Sequence, residues 1–100
     1  MQDEKNAALE KMAALKEIRE QFIGNAGQRQ CERLLAALQR FPISTFEASR
    51  QLDVYHAPAR VLQLRKQGHK IITLRQRVET EAGVSHRVGL YILQRGGGHD

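Results

Sequence analysis

The first third of the chain has apolar residues at helical spacing and no glycine or proline between Asp3 and Ile23. Alanine, leucine, glutamate and lysine dominate this stretch, and all four favour helix. The apolar positions that recur every three or four residues are Ala8, Met12, Leu15, Ile18 and Phe22. This spacing predicts an amphipathic helix with one apolar stripe. We expect a separate N-terminal segment over 1–24, whose stripe is buried either against its own domain or against a second copy of the chain.

A second helical pattern runs from about Gln28 to Arg40, after a turn that contains two glycines. Its apolar face is formed by Cys31, Leu34, Leu35 and Leu38. The Phe41–Pro42 pair should end this helix, because the residue before a proline is pushed out of helical geometry.

Two shorter helical patterns follow, joined by a tight corner. Ser44 and Glu47 have the spacing of a capping box, in which each side chain satisfies a free backbone donor at a helix start. The helix that they open should end at about Leu52. The corner is predicted at Asp53–Val54, and the next helix over roughly His56–Gln67.

Beyond residue 68 the periodicity changes from helical to strand-like. Lys70–Val78 and Ser85–Leu93 are rich in β-branched and aliphatic residues, and turn-forming residues separate them. Two such runs predict a β-hairpin. Two short helices, a tight corner and a hairpin over Ile43–Leu93 follow the plan of a winged helix-turn-helix.

The predicted fold is therefore mainly α with a C-terminal β-hairpin: a winged helix-turn-helix preceded by an N-terminal amphipathic helix. The helix from Gln28 must supply a wall of the core, so the domain is expected to cover 28–94. The glycine-rich end, 95–100, should be a flexible tail. In this plan the second helix of the pair enters the major groove of DNA, and the hairpin lies on the backbone or in the minor groove.

The distribution of charge supports a polyanionic partner. The formal net charge is +5, and cations bind DNA by neutralising phosphates and releasing counterions. The segment from Tyr55 to Val78 contains six basic residues and no acid, whereas the rest of the chain has ten basic and eleven acidic residues. The excess positive charge thus lies in the segment that the plan places against DNA.

The residues of this segment fall into two predicted groups. Arginine and glutamine suit bidentate contacts with base edges, so the predicted base contacts are His56, Arg60 and Gln63. Cations that neutralise phosphates determine affinity more than sequence preference. The predicted backbone contacts are Lys66, Lys70, Arg75, Arg77 and Arg87.

The predicted His56–Gln67 helix, which would be the recognition helix of this plan, also has positions that are assigned to packing. Ala57, Val61 and Leu64 share an inward stripe. Leu62 belongs neither to the predicted DNA-contacting residues nor to this inward stripe, and we expect it to pack against the Gln28–Arg40 helix.

Several of these residues also have a purely structural interpretation. Arg65 and Lys66 are also explained as solvated cations that favour a helix C-terminus. Arg75 and Arg77 also fit a solvent-facing strand, and His56 an ordinary surface position. Six bases gathered in one segment nevertheless favour the DNA-binding interpretation.

Catalytic, metal-binding and membrane functions find little support. Cys31 is the only cysteine, so neither an intramolecular disulfide nor a four-cysteine zinc site can form. It lies on an apolar stripe and is expected in the core, and the four histidines lack metal-ligand spacing. No apolar run approaches the roughly 20 residues that span a bilayer. We expect a cytoplasmic protein that is not an enzyme, with no cofactor, metal or membrane partner and no evident small-molecule ligand.

Three segments carry a resemblance to a known family. Ala59–Ile71 is an arginine-led helix that ends in Leu-Arg-Lys-x-Gly and leads into an isoleucine-rich strand, and Arg87–Leu93 is a closing strand with Tyr-x-Leu. Together with Thr45–Val54, these segments resemble a family of small winged helix-turn-helix domain proteins common in bacteriophages, prophages and mobile elements. The resemblance covers about Gln28–Leu93 and implies a winged fold and DNA binding.

The leading functional hypothesis is a sequence-specific double-stranded DNA-binding protein, a transcriptional regulator of phage or mobile-element type. DNA readers of this size usually dimerise to bind two half-sites, so a homodimer is expected. Two alternatives stay open. One is a winged-helix module that binds protein, which Leu62 and the N-terminal helix favour. The other is a DNA-bending accessory factor for excision or replication.

Overall fold

The computed structural model of the chain describes residues 2–79 and 81–95, and of residues 2–5 and 78 it describes the backbone. The elements in chain order are α1 (Gln2–Gln21), α2 (Gly27–Leu38), β1 (Ile43–Ser44), α3 (Thr45–Arg50), α4 (Ala57–Lys66), β2 (Ile71–Glu79) and β3 (Ser85–Leu93). The predicted tail, 95–100, lies outside the described residues apart from Arg95.

The apolar stripe of α1 is buried only over its second half. Leu15 and Ile18 lie in the same core as α2 and α4, and Phe22 packs against that core. Ala8 is exposed, and Met12 is 51% exposed. The described side chains before Lys11 are exposed, so the stripe is not buried along its whole length within one chain. The Lys11 Nζ donates to the carbonyl oxygen of residue 42 at 3.0 Å.

Helix α2 forms a central wall of the core. Cys31, Leu34 and Leu38 are buried, and Leu35 is half-buried, as the apolar pattern predicts. The helix ends at Leu38, two residues earlier than expected, and a turn leads from it to the proline.

Arg33 is a buried cation in the middle of α2, with 2% of its surface exposed. Its Nη1 donates to the carbonyl oxygens of Phe22 (2.6 Å) and Gly24 (2.8 Å). Its Nε and Nη2 donate to those of Leu52 (2.7 Å) and Asp53 (2.9 Å). One side chain therefore joins the end of α1 to the corner that follows α3.

The capping box that opens α3 is confirmed. The Ser44 Oγ accepts from the Glu47 backbone N–H at 3.0 Å, and the Glu47 carboxylate accepts from the Ser44 N–H at 2.9 Å. Ile43 and Ala48, at the positions of a hydrophobic staple, are both buried. The helix ends at Arg50, two residues earlier than expected from the sequence.

The sheet contains one strand more than the sequence predicts. The β2–β3 hairpin is confirmed, with Ile71 paired to Leu93 and Glu79 to Ser85. Residues 43 and 44 add a third, antiparallel strand beside β3, which gives the order β1-β3-β2. Ile43 lies opposite Tyr91 in this pairing, and both are buried.

The two ends of α4 have defined caps. His56 precedes the helix as its N-cap with a φ of 53°, so the helix begins at Ala57 rather than at His56. Gly68 follows it with a φ of 102°. The backbone N–H groups of Gly68 and His69 donate to the carbonyls of residues 65 and 64. This is the Schellman pattern, in which a glycine accepts the left-handed conformation that ends a helix.

Candidate nucleic-acid interface

Helix α4 buries one side and presents the opposite side to solvent. Ala57, Val61 and Leu64 are in the core, which confirms the predicted inward stripe. Since an α-helix turns by about 100° per residue, Ala59 and Lys66 lie almost opposite this stripe. The outward side of α4 is therefore free for contact with a partner.

The expectation that Leu62 packs against α2 is wrong. Its side chain is 51% exposed and lies on the outward side of the helix. The apolar residue type suggested burial, but the helical position directs the side chain away from the core and away from α2.

Arg60 and Gln63 occupy the side of α4 that faces α2. The Arg60 guanidinium passes so close to Gly27 that a Cβ at that glycine would lie 2.5 Å from Nη1. Arg60 Nε is buried and has no hydrogen-bond partner among the described residues. The Gln63 side-chain oxygen accepts from the Cys31 Sγ at 3.5 Å. Base contacts by Arg60 and Gln63 stay predictions, and Arg60 would have to turn away from Gly27 to make one.

The Cys31 thiol contributes to this contact between α2 and α4. Burial raises the pKa of Cys31, and the positive charge of Arg60 opposes that effect. A thiol with a raised pKa stays protonated at neutral pH and so remains the donor to Gln63. Its burial confirms the predicted core position.

His56 lies at the start of α4, where a recognition helix approaches base edges. Its backbone is in the left-handed region, which histidine tolerates better than most residues do. The side chain is exposed and makes no capping hydrogen bond. Its predicted base contact therefore requires no rearrangement of the domain.

Three arginines share one face of the hairpin. Side chains alternate along a strand, so Arg75 and Arg77 lie on the same face as Thr73, and the register pairs Arg77 with Arg87. Arg65 of α4 reaches this face and donates from Nη2 to the Thr73 hydroxyl at 3.0 Å. The three guanidinium groups therefore lie on the face of the hairpin that adjoins α4.

Lys66 and Lys70 extend this positive surface between the helix and the hairpin. Lys66 is the last residue of α4, Lys70 immediately precedes β2, and both are exposed. In the described part of the chain, the ion pairs join α1 to α3 and residue 29 to residue 32. Neither pair involves the five cations that are predicted to contact the DNA backbone.

A profile described as a winged helix-turn-helix domain matches residues 29–96. The match covers about two-thirds of the chain and includes most of α2, the α3–α4 pair and the whole sheet. The chain belongs to the winged helix-turn-helix domain family. No curated protein and no solved structure matches it.

Membership of this family suggests DNA binding, and winged helix-turn-helix domains are typically non-catalytic DNA-binding modules. By its position in this fold, α4 corresponds to the recognition helix and the β2–β3 hairpin to the wing. Across the described residues, no three His, Cys, Asp or Glu side chains are grouped as a metal site. No helix within that same part of the chain is long and apolar enough to cross a bilayer.

Arg65 is the interface residue whose role the sequence did not indicate. Besides its bond to Thr73, its Nε donates to the Ile71 carbonyl oxygen at 2.8 Å. It therefore connects the recognition helix of the winged helix-turn-helix domain to the wing, and is more than a solvated cation at the helix end. A basic residue one turn before a helix-ending glycine carries no sequence signal for such a contact.

Proposed function

We propose that this winged helix-turn-helix protein binds double-stranded DNA sequence-specifically and regulates transcription from a phage, prophage or other mobile element. The observation that carries the proposal is the arginine face of the wing. Arg75, Arg77 and Arg87 lie on the side of the hairpin that Arg65 connects to the recognition helix. A duplex that receives α4 in its major groove would meet these guanidinium groups with its phosphates.

The two predicted groups of residues would divide affinity and sequence preference between them. Lys66, Lys70 and the three wing arginines would contact phosphates, which positions the domain but carries no sequence information. His56, Arg60 and Gln63 would contact base edges, since arginine and glutamine match the donor and acceptor patterns of guanine and adenine.

The proposed form is a cytoplasmic homodimer that needs no cofactor and catalyses no reaction. Two copies would read two half-sites, as helix-turn-helix dimers do. The exposed apolar residues of α1, Leu9 and Met12, support a contact between copies through that helix.

A second candidate function is protein binding by the winged-helix surface. It is favoured by an open groove between α3 and the wing, which Phe46, Val88 and Leu90 line. A DNA-bending accessory factor for excision or replication is a third candidate. It would use the same recognition helix and wing, and energy transfer between the labelled ends of a duplex would detect the bend.

The first experiment is a fluorescence-anisotropy titration of random and source-genome duplexes at several salt concentrations. Five phosphate contacts per copy predict a slope of log K against log[salt] of about −4.5 for each copy bound, and thus about −9 for a homodimer on two half-sites. Arg75→Ala with Arg77→Ala should reduce its magnitude by about 1.8 per copy. The matched control, Lys16→Ala with Arg19→Ala on α1, removes the same charge and should leave the slope unchanged. A parent affinity that does not respond to salt would overturn the proposal and favour protein binding.

The recognition helix is tested with Arg60→Ala combined with Gln63→Ala. This variant should lose about 1–3 kcal/mol of discrimination for each base contact removed. Because Arg60 also packs on Gly27, a melting curve must show that the variant is folded. Unchanged discrimination in a folded variant would contradict the assignment of these two base contacts.

A further inference from the structure

The outward side of α4 is apolar in the two turns that would enter a groove first. Pro58 and Leu62 are exposed and Ala59 is half-buried, whereas the cation on this side, Lys66, is the last residue of the helix. In a helix-turn-helix, the N-terminal part of the recognition helix contacts the base edges. The part of α4 best placed to read bases thus offers an aliphatic side chain at its centre.

The polar side chains of these turns point elsewhere. Arg60 lies against Gly27, and the Gln63 side-chain oxygen accepts from Cys31, so both are drawn toward α2. Arg65 is engaged with β2 on the other side of the helix. Leu62 lies between these two sides and is 51% exposed. Among the described residues, it belongs neither to the hydrophobic core nor to the side chains that pack against that core.

The apolar feature that a base edge presents in the major groove is the 5-methyl group of thymine. We infer that Leu62 contacts this methyl group, and that the preferred duplex carries a thymine beneath the middle of α4 in each half-site. The inference rests on the proposed sequence-specific DNA binding and adds the chemistry by which one base is chosen. The methyl contact would be shielded from water by Pro58 and Ala59 on the same surface.

The test uses deoxyuridine, which pairs as thymidine does and lacks only the methyl group. The full-length protein first selects its preferred duplexes from a random library. Each thymine of a selected duplex is then replaced singly by deoxyuridine, and the dissociation constants are measured by anisotropy. At one thymine per half-site, loss of the methyl group should weaken binding by about fourfold, the equivalent of one buried methylene-sized group.

The methyl effect should depend on Leu62. In Leu62→Ala the thymine and deoxyuridine duplexes should bind equally well, whereas Leu62→Met, which keeps an apolar side chain of similar reach, should retain most of the preference. The control is Ile23→Ala, which truncates a side chain isomeric with leucine that is 77% exposed outside the recognition helix. It should preserve the fourfold difference.

The possible failures are distinguishable. If no duplex is selected, the proposed function and this inference both fail. If a duplex is selected but no methyl group matters, or a methyl effect persists in Leu62→Ala, the Leu62 assignment alone is overturned. If Leu62→Ala keeps the thymine preference and loses self-association instead, the exposed leucine contacts protein.

Discussion

Arg65 in the recognition helix donates a hydrogen bond from Nη2 to the Thr73 hydroxyl in the wing, across 3.0 Å. Its Nε donates to the Ile71 carbonyl oxygen at 2.8 Å, so the planar guanidinium holds two successive positions on one face of β2. The arginines of the wing follow on the same strand face. Arg65 thus joins the two elements that we propose to face DNA, and it can do so without contacting DNA itself.

Arg65→Lys should therefore weaken DNA binding by about tenfold while it leaves the salt slope unchanged. Lysine keeps the charge but cannot make both hydrogen bonds with a planar fork. The loss of one or two bonds of about 1 kcal/mol each corresponds to a factor between about five and thirty. Thr73→Val, which removes one acceptor and no charge, should give a smaller effect of the same kind. Anisotropy titrations at several salt concentrations measure both quantities. If Arg65→Lys binds as the parent does and Arg65→Ala lowers the slope by about 1, Arg65 is a phosphate contact instead.

Arg33→Met should lower the free energy of unfolding by about 3 kcal/mol or more. The substitution leaves four carbonyl oxygens, at the end of α1 and at the corner after α3, without their donor, and each buried unsatisfied group costs about 1–3 kcal/mol. The control on the same helix is Arg29→Met, whose exposed ion pair with Glu32 is worth less than about 1 kcal/mol. Urea unfolding followed by circular dichroism compares the two. Equal losses would show that the buried hydrogen bonds of Arg33 do not stabilise the fold.

The elements of this fold that have a periodic or capping signal were predictable. The Ser44–Glu47 capping box and the Ser85–Leu93 strand follow the sequence closely. The two-residue strand at Ile43 was not predictable, because its only cause is pairing with β3. Arg33 was also missed, since a charged residue in a helical pattern predicts a solvated face unless its distant carbonyl partners are known.

The candidate interface was predictable as a charged segment but not as an arrangement of side chains. The absence of acids between residues 55 and 78 correctly indicated a basic surface. The sequence could not show that Arg60 turns toward Gly27, because only the missing side chain of that glycine leaves room for the guanidinium. Nor could it show that Leu62 is exposed, since an apolar residue near an inward stripe is usually buried.

Cys31 should make stability fall as the pH rises past about 9. Burial raises its pKa above the ordinary value of 9.0, so the unfolded chain loses the thiol proton at a lower pH than the folded protein does. The contribution is fully present below the unfolded pKa and is lost as the pH rises toward the folded pKa. Cys31→Ser, whose hydroxyl does not titrate, should be less stable at neutral pH. The difference in the free energy of unfolding between the parent and this variant, measured with urea, should narrow from pH 8 to about pH 10. A constant gap over this range would show that the folded and unfolded pKa values are the same.

Leu9 and Met12, which are 58% and 51% exposed on α1, should form part of the contact between two copies. Leu9→Glu with Met12→Glu should raise the dissociation constant of the dimer by at least about tenfold, because carboxylates are costly to bury in an apolar contact. Leu15 and Ile18 hold α1 on its own domain, so the melting temperature should change little.

The control Asn6→Glu with Gln21→Glu adds the same charge at exposed polar positions and should leave the dimer intact. Sedimentation velocity measures the association of the two copies. The effect on DNA binding is measured as the affinity for duplexes with one or with two half-sites, and only the affinity for the duplex with two half-sites should fall. A parent that stays monomeric at high concentration would contradict the homodimer, and a dimer that survives the double substitution would place its contact elsewhere than on α1.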